Sequence, residues 1–306
     1  MTEKHVIIAG ASGFIGSRLV QYYLERGVQV TAIVREPLKL SPLHSPLLSV
    51  VCADFNEYST LADKLPTADY DIFYDLAWGG YGSATNDYTA QIENIRPVCD
   101  AVVQAARLGC KRFLFSTSFS EYMISEGDEK THDMGAVCNV YGSAKAAARL
   151  LAQAVAKQQG LPFISVAFAN TFGPGDYSKR STNLFVHRLL NGKALDLTKG
   201  EHLYDWNYIN DAIEGLVLAG EKGQPDAVYY IGSNERRPLK DIVAEARDIL
   251  SPKTPINLGT YKENFYVDYS SVDVHKLYRD TGYRAKTDFR RAITETAEWV
   301  KTLPWE

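Results

Sequence analysis

Seven residues near the N-terminus constrain this chain more than any other part of it: Gly10-Ala11-Ser12-Gly13-Phe14-Ile15-Gly16. The apolar run from His5 to Ala9 (HVIIA) stops at Gly10, and Ile15 to Arg26 then carries apolar residues at helical spacing before Gly27. Val28 to Val34 (VQVTAIV) reads as a second strand. Strand, glycine-rich turn, helix, strand is one βαβ unit. Gly10 and Gly13 allow a tight turn and a close backbone approach, and Gly16 lets the helix lie against the strand. A helix that starts there offers free N–H groups and a partial positive charge, which suits a pyrophosphate. A merely tight turn is the alternative, but the strand before, the helix after and the second strand together favour a dinucleotide site built from Gly10, Ser12, Gly13, Phe14, Ile15 and Gly16.

The alternation continues. Leu48 to Val51, Ile72 to Leu76 (IFYDL), Arg112 to Ser116 (RFLFS) and Phe163 to Phe168 (FISVAF) read as strands, with helices over 88–108 and 141–159. Continuous apolar strands between amphipathic helices imply an α/β fold, a Rossmann doubly wound parallel sheet covered on both faces. After Phe172 the pattern loosens, and Gly173-Pro174-Gly175 marks the change. The expected division is a dinucleotide-binding Rossmann domain over 1–170. A smaller, mainly substrate-binding C-terminal lobe would cover 171–306, with parts returning to the main sheet. The 306 residues, 45% of them hydrophobic, are enough for a large core. Helix 141–159 is alanine-rich and small-sided, which suits close packing within the core or across a homodimer.

Several classes of function are disfavoured. The formal net charge is -4 and no run of Lys or Arg exceeds two residues, so no nucleic-acid surface is expected. No apolar stretch is long enough to span a bilayer. Cys52, Cys99, Cys110 and Cys138 form no C-x-x-C pair and have no histidine at ligand spacing, so thiols in a reducing cytoplasm are expected and a metal site is not. MTEK leads straight into an apolar run, so no signal peptide is expected.

The end of strand two separates two cofactors. An acid there would hydrogen-bond the ribose 2′-hydroxyl of NAD, but Val34-Arg35-Glu36-Pro37 follows instead. Arg35 can pair with a 2′-phosphate and Val34 cannot hold a ribose diol, which favours NADP(H) over NAD(H). Glu36 could instead serve NAD, and Arg35 could be plain surface charge. Asp54, beside Phe55, could hydrogen-bond an adenine or cap a helix. Leu76-Ala77-Trp78 ends strand four, where small and apolar groups would line the cofactor's path.

Tyr141-Gly142-Ser143-Ala144-Lys145 places a phenol and an ammonium one helical turn apart on one face. A free tyrosine has a pKa near ~10. A neighbouring ammonium would lower it, so that Tyr141 could exchange a proton with a carbonyl or alcohol oxygen. Lys145 could also hold the ribose of the nicotinamide. Ser116-Thr117-Ser118 follows strand five at the carboxyl end of the sheet, where open α/β sheets bind ligands; a hydroxyl there can donate to a developing oxyanion.

On these motifs the chain resembles the extended short-chain dehydrogenase/reductases, the nucleotide-sugar epimerases, dehydratases and reductases. Gly10 to Gly16 matches the family's G-x-x-G-x-x-G, and Tyr141 with Lys145 its Y-x-x-x-K. Phe113 to Tyr122 (FLFSTSFSEY) is similar to its strand-five motif, which implies that Ser118 is the catalytic hydroxyl, with Ser116 and Thr117 beside cofactor and substrate. Asn94 matches a supporting asparagine. Asn170 to Gly175 resembles N-x-x-G-P-G, whose asparagine commonly contacts the phosphates of a sugar nucleotide. Tyr204-Asp205-Trp206 with Ile209-Asn210-Asp211 is similar to a later R-D-F…V-D-D block, and Tyr229 to Ser233 to the Y-N-I-G strand.

The departures carry information. Family 4,6-dehydratases have an acidic pair directly after the catalytic hydroxyl; Phe119 and Ser120 stand here, and Glu121 is one residue too late. Ala167 and Tyr204 replace two family arginines. Diphosphate binding would then fall to Arg180, Asn183, Arg188 or Lys179, with solvated loop charge the plainer reading of Lys179 and Arg180. The resemblance implies an NADPH-dependent reductase of a nucleoside-diphosphate 4-keto-deoxysugar with a Ser118/Tyr141/Lys145 centre. A 4-epimerase with bound NAD, a small-molecule carbonyl reductase and a non-catalytic dinucleotide sensor are the alternatives.

Overall fold

The computed structural model describes residues 4–82, 84–125, 139–262 and 265–305. Cys138 lies outside them.

The chain opens with β1 (His5–Ala9), α1 (Phe14–Leu24) and β2 (Gln29–Val34), followed by β3 (Leu48–Cys52) and β4 (Ile72–Asp75). Two helices come next, α2 (Tyr88–Ile92) and α3 (Ile95–Arg107), then β5 (Arg112–Ser118) and α4 (Val140–Gln159). The predicted single helix over 88–108 is thus two. Pro97 has no N–H to give to the carbonyl of residue 93, so it is tolerated only in the first turn of a fresh helix, where α3 places it. β5 runs two residues past the predicted end because Thr117 pairs with Ala167 and Ser118 with Phe168 on the neighbouring Phe163–Phe168 strand.

Seven parallel strands form the central sheet in the order β3-β2-β1-β4-β5, then Phe163–Phe168, then Val228–Ile231. The last strand comes from the C-terminal part of the chain. Strand order reverses between β1 and β4, so a crevice opens above their carboxyl ends. Alternate residues feed two cores, because neighbouring side chains on a strand point to opposite faces. Val6, Ile8, Tyr74 and Leu114 face one side with Leu19 and Val20 of α1, where Ile213 and Leu216 also pack. Ile7, Ala9, Phe73, Phe113 and Phe115 face the other with Val98 of α3 and Ala148 and Ala152 of α4. Phe113 stacks between Phe73 and Phe163 at ring-centre distances of 5.0 and 5.8 Å.

The rest of the C-terminal part contributes α5 (Ser181–Leu190), α6 (Ile209–Lys222), α7 (Leu239–Leu250), α8 (Lys276–Thr281) and α9 (Phe289–Val300), with short strand pairs between them. Among the described residues no helix is long and apolar enough to cross a membrane.

Candidate active site

The turn between β1 and α1 is built around two glycines. Gly10 has φ +73°, and a Cβ there would lie 2.8 Å from the backbone of Leu76 and Ala77; a Cβ on Gly16 would lie 2.2 Å from the Gly10 carbonyl oxygen. Both positions therefore exclude any side chain. α1 has no side-chain cap and no acid in its first turn, so its N–H groups and positive end are free for an anion.

A groove runs from this turn in two directions, with Gly10, Gly13, Leu76 and Trp78 common to both arms. One arm, about 240 Å³, is lined by Ser12, Val34, Arg35, Ala77 and Phe55, as the sequence suggested, and also by Lys39 and Tyr58. No carboxylate lines it. Glu36 turns to Lys39 instead, 2.8 Å away. Asp54 is not in the wall either: its carboxylate accepts from the Phe55 N–H at 2.7 Å and closes a capping box with Glu57. Arg35 and Lys39 are the two cations in the wall of this arm, which ends at the bare N-terminus of α1.

The other arm, about 290 Å³, passes over Phe14, Ile15 and Gly16 to Ser116, Thr117, Ser118, Tyr141, Lys145, Tyr81 and Arg180. Tyr141 and Lys145 sit in the first turns of α4, both buried. Asn139 fixes that start: its Oδ1 accepts from the Gly142 N–H at 2.6 Å, and its amide donates to the Ser120 carbonyl at 3.1 Å. The Ser118 hydroxyl lines the same arm beside the Tyr141 phenol and accepts from the Ser120 N–H at 3.1 Å.

The electrostatics correct one expectation. The Tyr141 phenol is held above its ordinary pKa, because burial and the nearby Tyr81 outweigh the influence of the Ser118 hydroxyl and the Arg180 charge. The Lys145 ammonium does not offset this. It donates to the Ser116 carbonyl at 2.7 Å and lies 3.9 Å from the Trp78 ring centre. Burial pulls its own pKa below the usual lysine range. In the protein alone the Tyr141 phenol thus keeps its proton at neutral pH.

Asn94 stands at the α2/α3 break. Its Oδ1 accepts from the Gly79 N–H at 2.6 Å and its amide donates to the Ala90 carbonyl at 2.9 Å. Gln91, fully buried, accepts from the Trp78 indole at 2.8 Å and donates to the Ala84 carbonyl at 2.9 Å. Together they pin the Trp78–Tyr81 loop over the reaction end. Tyr81 is a residue the sequence reading missed; its ring centre is 5.2 Å from that of Tyr141. The only hint was an aromatic residue among glycines (WGGYG).

Arg180 is no solvated loop charge. Its guanidinium donates to Asp176 at 2.9 Å and to the Tyr81 hydroxyl at 3.3 Å, and it lines the groove. Lys179 is exposed. Five other residues read as substrate contacts make their bonds elsewhere, although Thr117 also borders the groove. The Thr117 hydroxyl donates to Glu121, whose carboxylate also accepts from the Arg149 guanidinium at 2.8 Å, so Thr117 braces β5 from beneath. Asn183 is fully buried and ties the Asp176 and Ser178 carbonyls, at 3.0 and 2.8 Å. Asn170 donates to Thr182 at 2.8 Å, and Tyr204 pairs with Arg237 on a short antiparallel ladder; neither lines the groove. Arg188 gives its Nε–H to the Ala194 carbonyl at 2.8 Å and borders a separate cavity of about 340 Å³ with Leu184, Phe185, Leu195 and Tyr261. No group of acidic, cysteine and histidine residues suited to a metal occurs among the described residues.

A phenol and a serine hydroxyl that meet at the end of a dinucleotide crevice are built for hydride transfer coupled to proton transfer, which places the molecule among the dinucleotide-dependent Rossmann oxidoreductases. A model of the NAD dependent epimerase/dehydratase family matches residues 6–232, and the chain belongs to that family. It is accordingly an enzyme of the extended short-chain dehydrogenase/reductase type. The dTDP-glucose 4,6-dehydratase of Streptomyces antibioticus is 24% identical over 309 residues, covering 97% of this chain and 92% of that protein. A dTDP-glucose 4,6-dehydratase of an Actinoplanes species is 31% identical over 165 residues, 53% of this chain and 51% of that one. Two solved structures share the fold. Bordetella bronchiseptica WbmF in complex with NADH has a TM-score of 0.79 at 22% identity, covering 98% of this chain and 92% of that chain. The Bacillus cereus UDP-glucuronic acid 4-epimerase in complex with UDP-glucuronic acid and NAD has a TM-score of 0.76 at 20% identity, covering 97% and 99%.

Proposed function

We propose that this enzyme reduces the keto group of a nucleoside-diphosphate 4-keto-deoxysugar with NADPH. The observation that carries the reading is a reaction end with one proton donor and no acid–base pair. Phe119 and Ser120 follow Ser118, and Glu121 is buried against Thr117 and Arg149. Dehydration needs a base and an acid at adjacent sugar carbons, whereas reduction needs one hydride and one proton. A bound reduced nicotinamide supplies the hydride. Ser118 donates to the carbonyl oxygen and Tyr141 delivers the proton to it, which its raised pKa favours. Lys145 orients the cofactor ribose and keeps a positive charge beside the developing alkoxide.

NADP(H) is favoured by Arg35 and Lys39 in the adenosine arm and by the absence of a carboxylate from its wall. The named structural relatives were solved with NADH and with NAD, so the NADPH reading rests on Arg35 and Lys39 of this chain alone. The nucleotide is supported by α5. Arg180 stands at the N-cap position of that helix and lines the groove, and Arg188, near its other end, borders the second cavity. The two arginines are eight residues apart, about 12 Å at the helical rise, a span a sugar diphosphate and its base can cover. In this reading the substrate lobe begins after residue 170, the unpaired thiols suit the cytoplasm, and two copies pair through α2 and α4.

The test is direct. The enzyme is mixed with NADPH or NADH and with dTDP- or UDP-4-keto-6-deoxyglucose, and cofactor absorbance is followed. NADPH consumption with formation of a deoxysugar alcohol supports the proposal. Interconversion of UDP-sugars at C4 without net cofactor turnover would replace it with the epimerase reading, and turnover of simple carbonyl compounds alone would replace the substrate class.

A further inference from the structure

Asp75 is the only acidic residue in the seven strands of the central sheet, and it is 1% exposed. Its Oδ1 accepts a long hydrogen bond, 3.3 Å, from the Ala77 N–H, while Oδ2 is buried without a hydrogen-bond partner among the described residues. A buried carboxylate with half its acceptor capacity unused is costly unless a cation stands nearby.

The sheet register supplies that cation. Asp75 on β4 pairs with Phe115 on β5. Paired residues on neighbouring parallel strands point to the same face, here the one that carries Phe73 and Phe113 beneath α3 and α4. Lys145 reaches the same place from α4: its Nζ is 4.9 Å from the Phe115 ring centre and hydrogen-bonded to the carbonyl of Ser116, the next residue. Carboxylate and ammonium thus converge on Phe115 from two sides, in a site closed by Trp78.

We propose that Asp75 is a positioning residue: its carboxylate is the counter-charge that keeps Lys145 an ammonium over the Trp78 and Phe115 rings. The inference rests on the reading that Lys145 serves the reaction as a cation. Burial raises the Asp75 pKa and Lys145 opposes the rise; burial lowers that of Lys145, with Asp75 foremost in opposition and Glu121 after it. The other titratable groups facing the pair are Tyr58, whose pKa Asp75 raises, and Tyr141 on α4. Glu121 is tied by Arg149, which leaves Asp75 as the anion with a carboxylate oxygen to spare.

Two experiments test this, and the first is independent of any reaction. Melting temperatures are measured for the wild type, Asp75→Asn, Lys145→Met and the double variant, at about pH 6 and pH 9. Lys145→Met strands a buried carboxylate, so adding Asp75→Asn to it should recover stability; single effects that simply add would overturn the pairing. In the second, the pH dependence of NADPH-dependent reduction of dTDP-4-keto-6-deoxyglucose is compared for the wild type and Asp75→Asn. Asparagine keeps the Ala77 hydrogen bond but loses the charge. The alkaline limb of kcat should move down by about one pH unit, with kcat at low pH and the KM for NADPH nearly unchanged. A uniform loss of kcat at every pH would mean a merely structural role and would overturn the proposal. Should Asp75→Asn fail to fold, Lys145→Met and the double variant still decide it by their melting temperatures. Should the wild type reduce no keto-sugar, the functional reading fails while the melting cycle still reports on the pair.

Discussion

Tyr141 meets opposing influences: burial favours the neutral phenol, whereas Ser118 and Arg180 favour its anion, and burial prevails. A reductase uses this, since the neutral phenol carries the proton to be delivered. Tyr141→Phe should lower kcat by about 10²- to 10⁴-fold, the usual contribution of a positioned proton donor. The dissociation constant for NADPH, measured by fluorescence titration, should stay within about threefold, because only the hydroxyl is lost. Lys145 is different, since its cation is the form that matters and burial disfavours it. A group with a lowered pKa loses its proton early as pH rises, so kcat should fall on the alkaline side well below ~10.4, the ordinary lysine value. A profile that is flat to about pH 10 would show that the ammonium plays no part. At the far end of the groove, Arg35→Asp should lower kcat/KM for NADPH and raise it for NADH, reversing the preference. An unchanged ratio would assign the 2′-phosphate to Lys39 alone or to no residue.

The β1–α1 turn shows what one atom can do to an element. Gly16→Ala places a methyl 2.2 Å from the Gly10 carbonyl, so α1 must move off the strand or the turn must open. A cost of about 1–3 kcal/mol follows from such overpacking, seen as a lower melting temperature. Dinucleotide affinity should fall with it, since the free N–H groups of α1 move with the helix. This turn was fully legible in the sequence because its chemistry is local: glycines, one strand and one helix. The break between α2 and α3 was missed, because the apolar spacing across 88–108 runs on through Pro97 as one helix would. The last residues of β5 were harder. Ser-Thr-Ser looks like a loop, and only pairing with Phe163–Phe168 makes it a strand. The same limit applies to side chains. Motif spacing brought Ser118, Tyr141 and Lys145 together, but it could not show that Thr117 turns inward to Glu121 or that Asn183 is buried. Nor could it single out Asp75 in an otherwise apolar strand. Those facts depend on where the folded backbone aims each side chain, which motif spacing alone does not give.

At the scale of the whole molecule, α4 has two different faces. Tyr141, Ala144, Lys145, Ala148, Ala152 and Ala156 are turned to the sheet and the groove. Leu150 and Leu151 face outward at 44% and 50% exposure, and on the adjacent α2 Tyr88 and Ile92 are still more open. Apolar side chains clustered in this way are costly in water and suit a second copy, which would bury the same patch about a twofold axis. The small residues of α4 already allow close approach on its inner side, so an added charge on the outer side leaves the reaction end untouched. Leu150→Glu with Leu151→Glu should therefore convert a homodimer to a monomer in sedimentation velocity, with NADPH affinity retained. A sedimentation coefficient that does not change would place any self-association elsewhere and leave this face to solvent. A monomer that also loses cofactor binding would mean that the second copy steadies α4, and with it the Tyr141 and Lys145 that the groove depends on.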